Sequence, residues 1–76
     1  MDDILELMTV ALTRDLPEHG LAEGDVGTVV HRYTDDHAYE VEFVTGLGET
    51  LAVVLLKRND LRLLNRREIL HVRTLA

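Results

Sequence analysis

The sequence predicts an all-β fold, and three of its features indicate a small five-stranded barrel. Residues 39–43 alternate apolar and acidic side chains, which is the period of a half-buried strand. Residues 24–30 predict a second strand with Gly27 inside it, and a glycine at such a place marks a bulge or a sharp bend of the sheet. The chain has 76 residues and no cysteine, so one aliphatic core without disulfides must hold it together.

The strands follow from apolar alternation and from the turn residues between them. The long loop over residues 14–24 holds the only proline, and we expect Leu16 and Leu21 to plug the core beneath it. Gly24 is expected to need a positive φ. Asp2 and Asp3 can cap a short helical turn over residues 4–7, although Leu7 could instead begin the first strand. The five predicted strands are residues 8–13, 25–33, 38–44, 49–56 and 61–64, an order that describes an SH3-like barrel.

The fourth strand is apolar on both faces. Leu51, Val53 and Leu55 form one face, and Ala52, Val54 and Leu56 form the other. A strand of this kind in a small protein must be covered on both sides, by the barrel core and by either the C-terminus or another subunit. The predicted interface residues are Val54, Leu56, Ile69, Leu70, Val72 and Leu75.

Residues 65–76 are predicted to be an extension that packs on the barrel of residues 1–64 or on a partner subunit. Asn65 and Glu68 have the spacing of a capping box, which favours a helix over residues 66–73. The same stretch also alternates, and the β-branched Val72 and Thr74 favour a strand. Both possibilities stay open, with a slight preference for the strand.

Charge is distributed unevenly along the chain. The net charge is −6, which opposes non-specific binding to nucleic acid. The C-terminal third is nevertheless basic, and its candidate basic patch is Arg62, Arg66, Arg67 and Arg73. This patch could bind nucleic acid, but pairing with the acidic half of the same or a neighbouring subunit is the favoured interpretation. Asp15, Glu18, Glu23 and Asp25 form an acidic cluster, interpreted as an ordinary solvated loop rather than a cation site or a surface for a basic partner.

No pattern in the sequence carries recognisable chemistry. His19, His31, His37 and His71 lack the spacing of metal ligands, and Glu40 with Glu42 should lie on a solvated face. We therefore predict no enzyme, no metal and no cofactor. Residues 51–56 are too short an apolar run to span a bilayer, and the acidic N-terminus is unlike a signal peptide. The sequence predicts a cytoplasmic protein without a membrane partner.

Three segments resemble a known family. The Asp-Leu-Pro-Glu-His-Gly loop at residues 15–20, the Gly-Asp-Val-Gly-Thr-Val-Val stretch at residues 24–30 and the strand at residues 39–43 resemble small bacterial proteins catalogued as a domain of unknown function. The resemblance runs from about residue 10 to residue 64. It implies an SH3-like barrel and brings no activity, cofactor or catalytic residue. Residues 24–29 also resemble the KOW element of ribosomal proteins and elongation factors, without its basic residues.

These observations predict a non-enzymatic interaction module that forms a homo-oligomer through its fourth strand and tail and binds another protein. An antitoxin or immunity partner for a basic toxin is one extrapolation from the small size and the acidic charge. The alternative function is a KOW-like nucleic-acid binder that uses the arginine-rich C-terminal third, which the net charge disfavours.

Overall fold

The computed structural model describes residues 4–34, 37–65, 67–70 and 72–75, and within them five antiparallel strands form one sheet. The described residues contain no α-helix, only 3-10 helices at Pro17–His19 and Arg58–Asp60. The predicted all-β fold is therefore confirmed. The strands are β1 Thr9–Leu12, β2 Val26–Tyr33, β3 Ala38–Val44, β4 Thr50–Lys57 and β5 Leu61–Leu63.

The strands lie in the order β4-β3-β2-β1-β5. β1 is central to the connectivity because it pairs with β2 on one side and with β5 on the other. The long loop follows β1, and a 3-10 helix separates β4 from β5, as predicted for an SH3-like barrel. β4 and β5 form the two ends of the sheet, so the barrel is not closed by a pairing between them.

One aliphatic core fills the curled sheet. Tyr39, Val41 and Phe43 point into it as predicted, because alternate residues of a strand share a face. Leu16 and Leu21 are both buried and exchange backbone N–H···O bonds of 2.9 and 3.1 Å, so the loop plugs the core as expected. The other buried hydrophobic members of this core are Ile4, Val10, Leu12, Val29, Val54, Leu56 and Leu61.

The bend of β2 is not at the glycine where we predicted it. The register between β2 and β3 shifts between Val29 and His31, so the irregularity falls at Val30. Gly27 has a different role, because it lets β2 approach β3 closely. A Cβ atom there would lie 2.7 Å from Val41 Cγ1 and 2.9 Å from Glu42 O. The close approach, not backbone bending, is what requires a glycine.

Two loop predictions can be compared with the backbone. Gly24 has φ +91°, as expected. At the N-terminus, residues 6–7 form a turn rather than a helix, and Leu7 has φ +72° before β1 begins at Thr9. The proposed capping residues Asp2 and Asp3 lie outside the described residues, as do Asp35 and Asp36 of the predicted turn before β3.

The predicted extension, residues 65–76, is called the C-terminal tail below, and its described residues form neither the strand nor the helix that was predicted. The capping contacts do form, since Asn65 N donates to Glu68 Oε2 at 2.7 Å and Arg67 N donates to Asn65 Oδ1 at 2.9 Å. They close a single turn. A helix this short is unstable in water unless an apolar face packs, and Ile69 remains exposed.

Candidate functional site

The outer face of β4 is the largest departure from the sequence prediction. Val54 and Leu56, predicted to lie at an interface, are buried in the core with relative exposures of 6 % and 3 %. The physical reason is register. Val54 lies opposite Val41 and Leu56 opposite Tyr39, and residues directly opposite one another in a sheet share a face. The exposed apolar residues of β4 are therefore Leu51, Val53 and Leu55, at 41 %, 52 % and 62 %.

A signal for this orientation was present in the sequence. Lys57 has the same parity as Leu51, Val53 and Leu55, and a lysine at a strand end belongs on the solvated face. This single residue was outweighed by the apolar character of both faces, because no residue from Thr50 to Leu56 carries a charge. Sequence reasoning thus identified the right strand and assigned its two faces the wrong way round.

Acidic residues of β3 border this outer face. Glu42 lies opposite Val53 and Glu40 lies opposite Leu55, so both carboxylates lie on the solvated face, as expected. Glu42 Oε2 accepts a 2.6 Å hydrogen bond from Thr50 Oγ1. The face therefore combines an aliphatic stripe on the end strand with a row of carboxylates one strand further in.

β4 is also an edge of the sheet. Its one described strand partner is β3, so alternate residues direct backbone N–H and C=O groups away from the sheet. Natural proteins protect such edges with short strands, charges or proline. β5, at the other end, is three residues long and contains Arg62, whereas β4 has eight residues and no charge before Lys57. Among the described residues, the edge of β4 has one protecting charge, Lys57 at its end.

The C-terminal tail is attached to the barrel by two ion pairs. Arg73 forms a two-pronged contact with Asp25, at 2.7 Å from Nε to Oδ1 and 2.5 Å from Nη2 to Oδ2, and also donates to Gly20 O at 3.1 Å. This hydrogen bonding from Arg73 lowers the pKa of the Asp25 carboxyl. Arg62 Nη1 lies 2.6 Å from Glu68 Oε1. The Asn65 backbone amide and Arg62 together lower the pKa of Glu68.

Two of the four residues of the predicted basic patch are engaged with the chain's own carboxylates. Arg62 and Arg73 are ion-paired, and the described contact of Arg67 involves its backbone amide. Arg66 lies outside the described residues. The pair of Arg73 with Asp25 is of the kind that the sequence favoured, between the basic C-terminus and the acidic half of the chain, whereas Arg62 pairs with Glu68 within the C-terminal third. The sequence did not identify Asp25 as the partner, because 48 residues separate it from Arg73.

The acidic loop cluster is partly structural. Asp15 Oδ1 accepts from the Glu23 amide and Asp25 Oδ2 accepts from the Ala22 amide, both at 2.8 Å. Asp25 thus bonds the backbone of its own turn, as expected, and binds Arg73 as well. Within the described part of the chain, no three His, Asp or Glu side chains are grouped so that they could hold a metal ion. His71 falls outside that part.

An apolar groove of about 410 Å³ separates the tail from the barrel. Its barrel side includes the loop residue Leu21 and the strand residues Val26, Phe43 and Leu51. Asp25 and Arg73 also line it. A second groove of about 440 Å³ is lined by Arg62, Glu68 and Glu23 and shares Asp25 and Arg73 with the first. The tail residues that line the first groove are Leu70, Val72, Arg73 and Leu75.

The predicted interface residues of the tail remain accessible. Ile69 and Val72 are exposed at 85 % and 98 %, whereas Leu70 and Leu75 are less exposed and line the apolar groove. The structure therefore brings part of the predicted set together with Leu51 at the groove. It separates Val54 and Leu56 from that set.

Comparison with known proteins gives one match. The family model described as a domain of unknown function (DUF4926) matches residues 6–63, which include all five strands and end before the tail. No curated protein and no solved structure matches the chain. Among the described residues, no helix is long and apolar enough to cross a membrane.

Proposed function

The chain belongs to the family of unknown function DUF4926, which assigns it no activity, and we propose from its surface that it is a protein-interaction module that self-associates through β4. One observation carries the proposal. An eight-residue edge strand exposes three aliphatic side chains, and it has no proline and no charge before Lys57 at its end to block another strand. Two copies of such a strand can pair antiparallel about a two-fold axis.

The pairing would satisfy two kinds of group that the monomer leaves exposed on β4, namely its outward backbone N–H and C=O groups and its aliphatic side chains. The outward backbone groups of β4 would form ladder hydrogen bonds with the second copy. Leu51, Val53 and Leu55 would pack against the same residues of that copy, because directly opposite side chains of paired strands lie on one face. The proposed interface therefore lies on the predicted strand, but on the face of Leu51, Val53 and Leu55 and not on the face of Val54 and Leu56.

The proposal is tested by light scattering coupled to size-exclusion chromatography over a concentration series. We expect a mass near twice the 8.6 kDa of one chain, and Val53→Lys should shift it towards one chain. Lysine suits this position because it would face Glu42 across the strand pair, which preserves the monomer while it blocks the edge. The matched control is Leu47→Lys, at an exposed leucine in the turn between β3 and β4, which should leave the mass unchanged.

Three results would overturn the proposal. They are a strict monomer at high micromolar concentration, a dimer that Val53→Lys does not weaken, and a mass that rises without limit as concentration increases. The last result would identify aggregation through the edge rather than a specific assembly. Circular dichroism of each variant verifies that the strands are retained.

A bacterial, cytoplasmic setting and an antitoxin or immunity role with a basic partner remain predictions within this proposal. The KOW-like alternative also remains a prediction, and the ion pairs of Arg62 and Arg73 do not favour it, because those charges already face carboxylates. Binding to RNA or DNA at low salt that is lost in Arg67→Glu would support it in preference to the β4 proposal.

A further inference from the structure

The apolar groove lies between a part of the chain that the family model matches and a part that it does not match. Its barrel wall, which includes Leu21, Asp25, Phe43 and Leu51, lies within the matched residues 6–63. Its other wall is the tail, which begins after that range. The barrel wall of the groove thus lies within the family match, and the segment that forms its other wall lies outside that match.

The tail forms one wall of the groove and is attached to the barrel mainly by side chains. In the described residues, the backbone hydrogen bond within the tail is local, from Glu68 N to Asn65 O at 3.2 Å, and no ladder joins the tail to a strand. Val72 is almost fully exposed and Leu70 more than half exposed. The specific attachment at this end is Arg73, which reaches Asp25 and Gly20 O. The contact resembles that of a bound peptide more than that of an integral strand.

The charge around the groove fits a basic ligand. Asp25 pairs directly with Arg73, and Asp15 and Glu23 belong to the same loop. Asp15 also acts electrostatically on Arg73. The aliphatic residues Leu21 and Val26 line the same groove as Asp25. A segment that fits must therefore present one cation next to aliphatic side chains.

We propose that the groove is a binding site for an extended peptide segment with an arginine flanked by aliphatic residues, and that the tail, which forms one wall of the groove and pairs Arg73 with Asp25, is an internal competitor for that segment. The tail supplies the template, since Leu70, Val72 and Leu75 surround Arg73 in sequence and line the groove. A partner segment of this chemistry displaces the tail and pairs its own arginine with Asp25. The site is independent of the β4 edge apart from Leu51, which belongs to both.

The test is a titration of a fluorescent peptide with the sequence of residues 64–76 into the full-length chain, followed by anisotropy. Arg73→Glu in the protein should release its own tail, because the new carboxylate would face Asp25. A surface ion pair contributes up to roughly a fivefold change in an equilibrium constant, so we expect the peptide to bind this variant about fivefold more tightly than the wild type. Arg67→Glu is the matched control, with the same change of charge in the same tail, and should bind as the wild type does.

A second variant tests whether the peptide is recognised through the pairing of its arginine with Asp25. Asp25→Lys combined with Arg73→Glu keeps an ion pair of reversed sign and should abolish binding of the peptide. Equal affinity for the wild type and Arg73→Glu, or no binding to either, would overturn the proposal. So would an Arg73→Glu variant that dissociates an oligomer, because the groove would then hold the tail of a second copy. None of these results depends on Val53, so the groove and the β4 edge are tested separately.

Discussion

Gly27 provides the most direct test of the packing that shapes the groove. We consider the substitution Gly27→Ala, which adds one methyl group where β2 lies close to β3. That carbon would lie 2.7 Å from Val41 Cγ1 and 2.9 Å from both Glu42 O and Phe43 Cε1. Carbon atoms in contact are ordinarily about 3.5–4.0 Å apart, so the overlap with Val41 is roughly 0.8 Å or more.

The neighbours of Gly27 have little room to move. Val41 and Phe43 are buried, and the oxygen belongs to the backbone of β3, where Glu42 pairs with Thr28 in the adjoining strand. Overpacking of a well-filled core costs about 1–3 kcal/mol, and we expect the upper half of that range because one obstacle is backbone. For a domain of this size each kcal/mol lowers the melting temperature by about 4–8 °C. The expected decrease is therefore roughly 10–20 °C.

The matched control is Gly46→Ala. A Cβ at Gly46 meets nothing within 4 Å, and the φ of this residue lies outside the left-handed region. The substitution should leave stability unchanged or raise it by about 0.4–1 kcal/mol, because alanine restricts the unfolded chain. Thermal and urea denaturation followed by circular dichroism measure both variants. If Gly27→Ala melted within a few degrees of Gly46→Ala, the proposed close approach of β2 and β3 would be wrong.

Two further predictions concern the long loop between β1 and β2. Because Arg73 lowers the pKa of Asp25, their pairing stabilises the fold above the ordinary aspartate value of 3.8 and loses this effect as the pH falls through the lower folded-state value. The difference in urea midpoint between the wild type and Asp25→Asn should therefore be constant near neutrality and vanish in strong acid, and a difference that grew in acid would contradict the pairing. Leu16→Ala should cost about 2–5 kcal/mol in the free energy of unfolding, because Leu16 is a buried plug. A cost below about 1 kcal/mol in urea denaturation would show that the loop is not part of the core.

The strands that sequence reasoning predicted best are those with one polar face. β3 spans Ala38–Val44, as predicted, because Glu40 and Glu42 leave one orientation for the apolar residues between them. β4 has one such marker, Lys57 at its end, so its location was predicted and its orientation was assigned wrongly. Orientation came from the pairing with Val41 and Tyr39, which is a tertiary fact.

The tail shows a different limit of local reasoning. Its capping residues and its alternating residues are both present, and each predicts a regular element. Neither element forms in the described residues, and a helix this short needs an apolar face that packs. The contact that positions the tail joins Arg73 to a residue 48 positions earlier, and no local pattern encodes that separation.

The acidic outer face does not oppose pairing through β4, although the chain carries a net charge of −6. In a pair of antiparallel β4 strands, the Glu40 and Glu42 rows of the two copies would be three strand spacings apart, or roughly 14 Å. That distance exceeds the Debye length of about 8 Å at physiological ionic strength, so their repulsion is largely screened. Backbone hydrogen bonds and aliphatic contact would hold the pair, and neither is weakened by added salt. The contact of Arg73 with Asp25 is a partly exposed ion pair, which added salt does weaken. Added salt should therefore distinguish the groove from the β4 edge. It weakens the ion pair that holds the tail beside the groove, and it leaves the proposed pairing of β4 edges unchanged.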